Sequence, residues 1–411
     1  MRKSLIALGV ILTALLVYWL ASPKQVMRSE SAQTFADFVP ALMEEEAIPG
    51  MAVAVVRDHQ VVHMQGYGFA DVKARKPMTA DTPVNIASIS KPILGIVLLQ
   101  LHDKGLLDLD ADINAMLPFR VNNPNADGQP ISIRQLATHT SGIADFYVVS
   151  DYQKGADSPT PLVDHLRGLL TPEGARYEGG AHYLKTAPGA EREYSNLGAG
   201  VAGAVAETVG RAPLAALART NVFEPLGMTN SSWLLADYGP GELATRYDVV
   251  QCLPLTGLCA NTEQPKRNFL IRKIFRPTSS DRRLEDYPQF GNPNYPDGGV
   301  NASARDLALL AQSMLAGGKT RSGHLLSTAS FDEMLKLQLP PSIDDRQRFF
   351  WRDRNGLIGH AGSDQGVYTS LYFDPAKGNA VIVLMNRTPD LQTEEAMARL
   401  FDRIGRDLLR L

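Results

Sequence analysis

Strand-like sequence lies near both ends of this 411-residue chain, and this distribution constrains its fold more than any other feature. Near the start, residues 51–57 and 60–66 form two apolar, β-branched runs separated by a short turn, which predicts a β-hairpin. Near the end, three further runs predict an antiparallel group of strands at residues 356–360, 366–373 and 379–385. We therefore expect a single sheet assembled from both ends of the chain.

The residues between these strands have a different pattern. From about Asp110 to Tyr295, glycine, proline and short helical repeats dominate, and strand-like alternation is scarce. We predict an α+β fold in which an antiparallel sheet, built from residues 34–110 and 295–411, is flanked by helices. A mainly helical lobe, residues 111–294, is inserted between the two halves, and together they form one domain over residues 34–411.

The first 25 residues predict a membrane anchor or a signal segment. Met1-Arg2-Lys3 precedes an apolar run from Leu5 to Ala21, long for the core of a signal peptide and slightly short for a typical span. Tyr18 and Trp19 are typical of interfacial anchors, and Trp19 is bulky where a cleavage site needs a small residue. We expect export to the periplasm or another extracytoplasmic compartment, with residues 5–21 as an uncleaved membrane anchor. A cleaved signal is the alternative.

Charge, cysteine and histidine content narrow the class of protein. The formal net charge is -3, so nothing favours a nucleic-acid partner. Cys252 and Cys259 are the two cysteines, too few for a zinc site. In an oxidising compartment they predict a structural disulfide, with free thiols as the alternative. The eight histidines show no spacing typical of metal ligands, so we expect neither a metal nor a cofactor.

Ser88 and Lys91 form the first candidate catalytic pair. They stand three residues apart at the start of a predicted apolar helix that runs to about His102, so they lie on one helix face. A serine there is a candidate nucleophile, and a lysine beside it is a candidate base. The alternative is that serine caps the helix and Lys91 is solvated, since so short a pattern recurs by chance.

Two later segments supply candidate partners for this pair. Tyr194-x-Asn196 precedes a helix of small residues, and its phenol and amide can relay a proton and hold a substrate. His360-x-Gly362 lies on the first of the late strands, where small residues allow close approach of a substrate backbone. Alone, the Tyr194-x-Asn196 motif is more often a turn.

Together, the three motifs resemble those of the serine penicillin-recognising enzymes, specifically the class C β-lactamase and D-alanyl-D-alanine carboxypeptidase branch. Further matches are residues 136–142, which contain His139, Gly298-Gly299, and residues 359–366. The resemblance covers about residues 34 to 411 and implies a β-lactamase/DD-peptidase-like fold. His139 is expected to be a structural hydrogen-bonding residue rather than a catalytic one.

The resemblance also implies roles for individual residues. Ser88 looks like the acylated nucleophile and Lys91 its proton partner, with Tyr194 as base or relay. Asn196 is expected to position the substrate amide, and His360, Gly362, Ser363 and Asp364 to line the substrate-binding strand. The backbone N–H groups of Ser88 and Ser363 would form the oxyanion hole.

One departure from the family pattern bears on the substrate. Class C β-lactamases typically have Lys-Thr-Gly where this chain has His360-Ala361-Gly362, so a positive charge is missing beside the place for a β-lactam carboxylate. Asp364 adds a negative charge nearby, which is expected to disfavour an anionic substrate end and to favour an ammonium or neutral group. The alternative role for Asp364 is to cap a turn at the strand end.

The sequence thus predicts a serine hydrolase that works through an acyl-enzyme on Ser88. The first choice of substrate is an amide in a D-amino-acid-containing peptide, as for a DD-carboxypeptidase or D-aminopeptidase, with peptidoglycan as a candidate partner. An esterase or a weak β-lactamase using the same site is the second interpretation. The third is a non-catalytic module that binds or senses the cell wall; the complete set of Ser88, Lys91 and Tyr194 argues against it.

Overall fold

The protein is described here from a computed structural model. The structure describes residues 34–252, 258–261, 266–267, 270–271, 282–354, 356–390 and 393–410. The predicted anchor or signal segment at residues 1–25 lies outside the described residues. Among the described residues, no single helix has the length and apolar character needed to cross a bilayer. The bent pair Asn196–Gly210 and Leu214–Leu226 meets both criteria only when its two helices are taken together, across a 75° bend.

The helices are numbered here in chain order. They are α1 (Phe35–Glu46), α2 (Ser90–Asp103), α3 (Ile133–Ala137), α4 (Leu162–Leu170), α5 (Asn196–Gly210), α6 (Leu214–Ala218), α7 (Glu224–Leu226), α8 (Ala304–Leu315), α9 (Thr328–Leu335) and α10 (Thr393–Ile404). Short 3₁₀ turns connect several of them, including one over Ala87–Ile89 that leads directly into α2.

The strands follow the same convention. They are β1 (Gly50–Arg57), β2 (Gln60–Asp71), β3 (Lys76–Pro77), β4 (Val84–Asn85), β5 (Gln153–Lys154), β6 (Arg246–Cys252), β7 (Cys259–Ala260), β8 (Arg282–Tyr287), β9 (Phe290–Gly291), β10 (Asn301–Ala302), β11 (Arg352–Arg354), β12 (Leu357–Asp364), β13 (Val367–Asp374) and β14 (Asn379–Met385).

The main sheet joins the two ends of the chain, as predicted. Its seven strands run in the order β11-β12-β13-β14-β1-β2-β3, and the described neighbours pair antiparallel. The junction is the pairing of β1 with β14, in which Met51 faces Met385 and Val55 faces Val381. This junction closes a loop of more than 300 residues, so the site built on the sheet depends on long-range pairing.

Strand β1 is apolar throughout because both of its faces are covered. Met51, Val53 and Val55 face a cluster with α1 and α10, whereas the alternate residues Ala52 and Ala54 face the larger core that contains α2 and α8. Side chains of a strand point alternately to opposite faces, so a strand with helices on both sides needs apolar residues at every position. The result is a rigid support for the strands that lie next to the site.

The glycines of α5 allow a later segment of the chain to approach it closely. A Cβ placed on Gly200 would lie 1.6 Å from the side-chain oxygen of Asn294, and one on Gly203 would lie 2.4 Å from Pro296. Only glycine leaves room for these contacts. They hold the segment before Gly298 against α5, which begins at Asn196.

The lobe inserted between the two halves contains more strand than the sequence analysis expected. Strands β6, β7 and β8 form a separate three-stranded antiparallel sheet, with β6 in the centre. The expectation of scarce strand structure was wrong here because the buried residues of β6 include Arg246, Asp248 and Gln251, so the strand does not stand out as an apolar run. Cys252 and Cys259 lie opposite each other at the end of this sheet and are joined as a disulfide, as the predicted pairing requires.

Candidate active site

Ser88 lies on the tight turn between β4 and α2. The preceding residue, Ala87, has φ +46°, which is uncommon for a residue with a side chain. Asn85 holds this turn: its side-chain oxygen accepts from the N–H of Ala87 at 3.1 Å, and its amide nitrogen donates to the carbonyl of Gly298 at 3.0 Å. The Ser90 hydroxyl donates to the carbonyl of Ala87 at 2.7 Å. These contacts hold the turn in the conformation that presents Ser88 to the cavity.

Lys91 is completely buried beneath Ser88. Its amine donates to the Ser88 hydroxyl oxygen at 3.2 Å, to the side-chain oxygen of Asn196 at 2.5 Å and to the backbone carbonyl of Asp297 at 2.6 Å. An ammonium has three N–H groups, and each has one acceptor here. A buried amine held in this way is fixed in place next to the hydroxyl.

Tyr194 also contacts Ser88. Its hydroxyl donates to the Ser88 oxygen at 2.9 Å, and Lys91 lies 4.9 Å from the centroid of its ring. The ring of His139 packs on Tyr194 at 4.3 Å, and its Nδ1 accepts from the N–H of Ser195 at 3.2 Å. Burial, together with the charge of Lys91, holds the pKa of His139 well below its ordinary value, so the ring is neutral. His139 thus supports Tyr194, in agreement with the structural role expected for it.

The side chain of Asn196 is fully engaged within the protein. Besides accepting from Lys91, it donates from Nδ2 to Asp145 at 3.0 Å and to the hydroxyl oxygen of Tyr147. The same carboxylate of Asp145 accepts from the backbone N–H of Asn196 at 2.9 Å. These three bonds, one accepted by the oxygen and two donated by the nitrogen, fix the orientation of the amide.

Strand β12 passes directly beside the Ser88 turn because Gly362 has no side chain. A Cβ at this position would lie 2.2 Å from the carbonyl oxygen of Ile86 and 2.4 Å from the hydroxyl of Thr369. Thr369 itself bridges the two segments by donating to the carbonyl of Ile86 at 2.9 Å. The approach brings Ser363, the next residue, to the same cavity as Ser88.

His360 lies on the same strand, with its ring 6.4 Å from that of Tyr194. Burial lowers the pKa of His360 to about 4, and the positive charge of Lys91 acts in the same direction. At neutral pH the ring is therefore uncharged. The site has no cation at the position where the related Lys-Thr-Gly motif would supply one.

A cavity of about 700 Å³ opens beside the Ser88 turn. Ser88, Asn196, Ser363 and Asp364 all line it, so the structure gathers four of the predicted residues around one space. Lys91 and Tyr194 contact Ser88 from behind this space. The volume suits a small organic substrate. Within the part of the chain that the structure describes, no group of three or more histidine, cysteine, aspartate or glutamate side chains could hold a metal ion.

Comparison with known protein families decides which family this site belongs to. A family model described as "Beta-lactamase" matches residues 35–403. The chain belongs to the β-lactamase family. This confirms the family predicted from the three motifs, and membership supports a serine hydrolase, the enzyme class predicted with it.

Relatives within the β-lactamase family carry different names. Esterase EstB of Burkholderia gladioli is 33% identical over 225 residues, which cover 53% of this chain and 55% of EstB. This chain therefore matches little more than half the length of that curated relative.

Solved structures agree on the fold. The structure of a class C β-lactamase from Rhodobacter sphaeroides superposes with a TM-score of 0.63 at 19% sequence identity. The aligned part covers 90% of this chain and 99% of the β-lactamase chain. The structure of EstCE1, described as a hydrolase with promiscuous acyltransferase activity, superposes with a TM-score of 0.61 at 20% sequence identity. The aligned part covers 90% of this chain and 98% of the EstCE1 chain. The predicted β-lactamase/DD-peptidase-like fold is confirmed.

The carboxylate of Asp364 is paired with an arginine, which weakens the prediction that Asp364 disfavours an anionic substrate end. Its carboxylate accepts from the guanidinium of Arg246 at 3.1 Å, and Arg246 also donates to the carbonyl of Gln365 at 3.3 Å. Arg246 is buried, whereas Asp364 is half-exposed. The pair is close to neutral, so repulsion of an anionic substrate end is smaller than predicted from Asp364 alone.

Four residues of this β-lactamase-family site were not predicted from the sequence: Asp145, Tyr147, Arg246 and Asp297. Asp297 is buried, and its carboxylate accepts from Asn294 at 3.2 Å. Burial raises the pKa of Asp297 to about 7, although the charge of Lys91 acts in the opposite direction. The position of Asp297 directly before Gly298-Gly299 was the one sequence signal that could have identified it. Asp145, Tyr147 and Arg246 lie in segments with no recognised motif.

Proposed function

We propose that this protein is a serine hydrolase that forms an acyl-enzyme on Ser88. The observation that carries the proposal is the double contact of the Ser88 oxygen, 3.2 Å from the amine of Lys91 and 2.9 Å from the hydroxyl of Tyr194. A serine hydroxyl is a weak nucleophile until a neighbouring group removes its proton. Here two such groups lie within hydrogen-bond distance, and the proton is assigned to the pair rather than to either residue.

The proposed reaction has two steps. In the first, the Lys91–Tyr194 pair acts with one proton fewer, as the neutral amine or the phenolate. The Ser88 oxygen bonds to the substrate carbonyl carbon, its proton passes to this pair, and the leaving group departs with that proton. In the second, water attacks the acyl-enzyme, gives one proton back through the pair to Ser88, and releases the acid. The backbone N–H groups of Ser88 and Ser363 are proposed to bind the oxyanion, each supplying roughly 3 kcal/mol to the transition state.

Carboxylic esters are the substrate class that we favour. The support comes from the 33% identity to a protein named esterase EstB and from the near-neutral Arg246–Asp364 pair at the cavity. The neutral ring of His360 gives no cation for a β-lactam carboxylate, so β-lactam hydrolysis is expected to be weak. An ester also has a better leaving group than an amide. Its cleavage therefore depends less on protonation of the leaving group by the Lys91–Tyr194 pair.

A peptide amide with a D-amino acid is the second candidate. Its support is the presence of penicillin-binding proteins among the structural neighbours, which at 20% and 22% identity bear on the fold. A non-catalytic role in cell-wall binding is less well supported, because a binding module does not need the intact contacts among Ser88, Lys91 and Tyr194. We also propose that residues 5–21 anchor an exported enzyme, with peptidoglycan as a candidate partner.

Initial rates on p-nitrophenyl esters, nitrocefin and D-Ala-D-Ala peptides test this proposal. The purified protein is expected to hydrolyse the esters fastest, and Ser88→Ala is expected to reduce that rate at least about 1,000-fold. Ser322→Ala is a matched control, because Ser322 is exposed and does not line the cavity. Ester hydrolysis by Ser88→Ala at the wild-type rate would reject the proposal.

A further inference from the structure

The cavity beside Ser88 continues past the nucleophile into an apolar end. Six residues from separate parts of the chain form this end, which we name the apolar pocket: Leu162, Pro213, Ala215, Trp233, Leu234 and Leu235. They line the same cavity as Ser88. We propose that this pocket binds an elongated apolar acyl group, so that the enzyme acts on esters of medium-chain carboxylic acids. This inference rests on the proposed function.

Two glycines keep the passage to the pocket open. A Cβ placed on Gly298 would lie 3.4 Å from the carbonyl carbon of Ala87, and one placed on Gly299 would lie 3.0 Å from Cδ1 of Trp233. The pair thus spans the distance from the Ser88 turn to Trp233, and both glycines line the cavity. No side chain at these positions divides the pocket from the nucleophile.

The wall formed by Trp233 is rigid and presents only apolar surface. Its indole nitrogen donates to the carbonyl of Tyr295 at 3.0 Å, and its ring meets the Tyr295 ring edge to face at 6.3 Å. Trp233 is 2% exposed, so its position is fixed by packing. Because its N–H is already used, the indole offers a neighbour only its ring, which packs well against hydrocarbon.

The two carboxylates beside the pocket, those of Asp157 and Glu207, accept hydrogen bonds from other groups of the protein. Asp157 accepts from the backbone N–H groups of Leu235 and Ala236, at 2.8 and 3.0 Å. Glu207 accepts from the N–H of Leu214 at 3.0 Å and from the hydroxyl of Tyr295. The bonds of Asp157 also hold the turn that carries Leu235. The bonds of both carboxylates therefore stabilise the wall of the apolar pocket.

The position of Tyr194 indicates that the pocket takes the acyl side of the substrate. Among the described residues, the cavity lining includes Ser88 and Ser363 but not Tyr194. The leaving group must depart beside the phenol and amine that return its proton. The cavity extends from Ser88 in another direction, so the group that stays on Ser88 as the acyl-enzyme is the one that can enter it.

A chain-length series measures this directly. We expect kcat/KM on p-nitrophenyl esters to rise from acetate through butyrate and hexanoate to octanoate, by up to about fourfold for each buried methylene. Leu235→Trp, which fills the pocket, is expected to lower the octanoate-to-acetate ratio of kcat/KM by about tenfold or more. Leu235→Ala, which removes apolar surface without adding bulk, is expected to lower the same ratio by a smaller factor.

The control is Leu337→Trp, the same substitution at an exposed leucine that does not line the cavity. It is expected to keep the wild-type ratio. Ser88-dependent hydrolysis with a flat or falling chain-length profile would overturn the apolar pocket and leave the serine hydrolase standing. Absence of Ser88-dependent hydrolysis on every ester would overturn the proposed function, and the pocket assignment with it.

Discussion

Lys91 donates a hydrogen bond of 2.5 Å to the side-chain oxygen of Asn196, and Asn196 donates in turn to Asp145 at 3.0 Å. The chain of contacts begins at a buried amine and ends at an exposed carboxylate. Asn196 was expected to position the substrate amide; it lines the cavity, and its side chain makes three hydrogen bonds within the protein. We interpret Asn196 as a residue that orients Lys91.

The first prediction concerns this chain of contacts. Asp145→Ala frees the Asn196 amide to rotate, so the orientation of Lys91 is lost in part. We expect kcat on p-nitrophenyl acetate to fall about tenfold with KM little changed, which corresponds to about 1.4 kcal/mol. Asp332→Ala, an exposed aspartate on α9, is the control and is expected to keep the wild-type kcat. A rise in KM at constant kcat would instead assign Asp145 to substrate binding.

The second prediction concerns the approach of β12 to the nucleophile turn. Gly362→Ala places a methyl group 2.2 Å from the carbonyl oxygen of Ile86, so the strand or the turn must move. We expect kcat/KM to fall about 100-fold. We expect the free energy of unfolding to fall by roughly 1–3 kcal/mol, as for an overpacked core. Gly323→Ala, where a Cβ would meet nothing within 4 Å, is the matched control. Wild-type activity in Gly362→Ala would contradict this account of the strand.

The third prediction concerns the charge of Asp364. Arg246→Gln removes its partner and leaves a negative charge at the cavity. The preference for the p-nitrophenyl ester of 4-(aminomethyl)benzoate over the mono-p-nitrophenyl ester of terephthalate, neither of which can cyclise, is expected to rise about fivefold, or roughly 1 kcal/mol. In the double variant with Asp364→Asn that change should disappear. An equal preference in wild type and Arg246→Gln would show that Asp364 does not sense the substrate charge.

The fourth prediction concerns the pH dependence of stability. The pKa of Asp297 is raised to about 7 by burial, so the folded protein holds this proton where the unfolded chain has released it. Stability from this group is full at low pH and is lost as the pH rises from about 4 to about 7. Asp297→Asn cannot titrate. We expect the melting temperature of the variant relative to wild type to increase from pH 5 to pH 7 and to level off above pH 8. A constant difference across this range would contradict the raised pKa.

Much of the fold could be predicted because the signals are local. Strands β1 and β14 are apolar runs with clear ends, and Ser88-x-x-Lys91 opens a helix whose apolar residues are continuous. Strand β6 was missed because polar residues, Arg246, Asp248 and Gln251, are buried in it, so its sequence does not read as an apolar run.

The partners within the site could not be predicted for a different reason. Arg246 meets Asp364 across 118 residues, and Asp145 meets Asn196 across 51. Such pairs depend on how the lobe folds back onto the sheet, and neither residue has a local pattern. The motifs therefore supplied Ser88, Lys91 and Tyr194, whereas the charge at the cavity and the orientation of Lys91 required the structure.

Covalent labelling of the nucleophile tests the central claim most directly. The protein is incubated with a fluorophosphonate, its intact mass is measured, and the modified peptide is mapped. We predict one adduct, on Ser88, formed at a rate that falls at least about 100-fold in Lys91→Ala and is lost in Ser88→Ala. An adduct on another residue, or labelling of Ser88→Ala at the wild-type rate, would contradict the account.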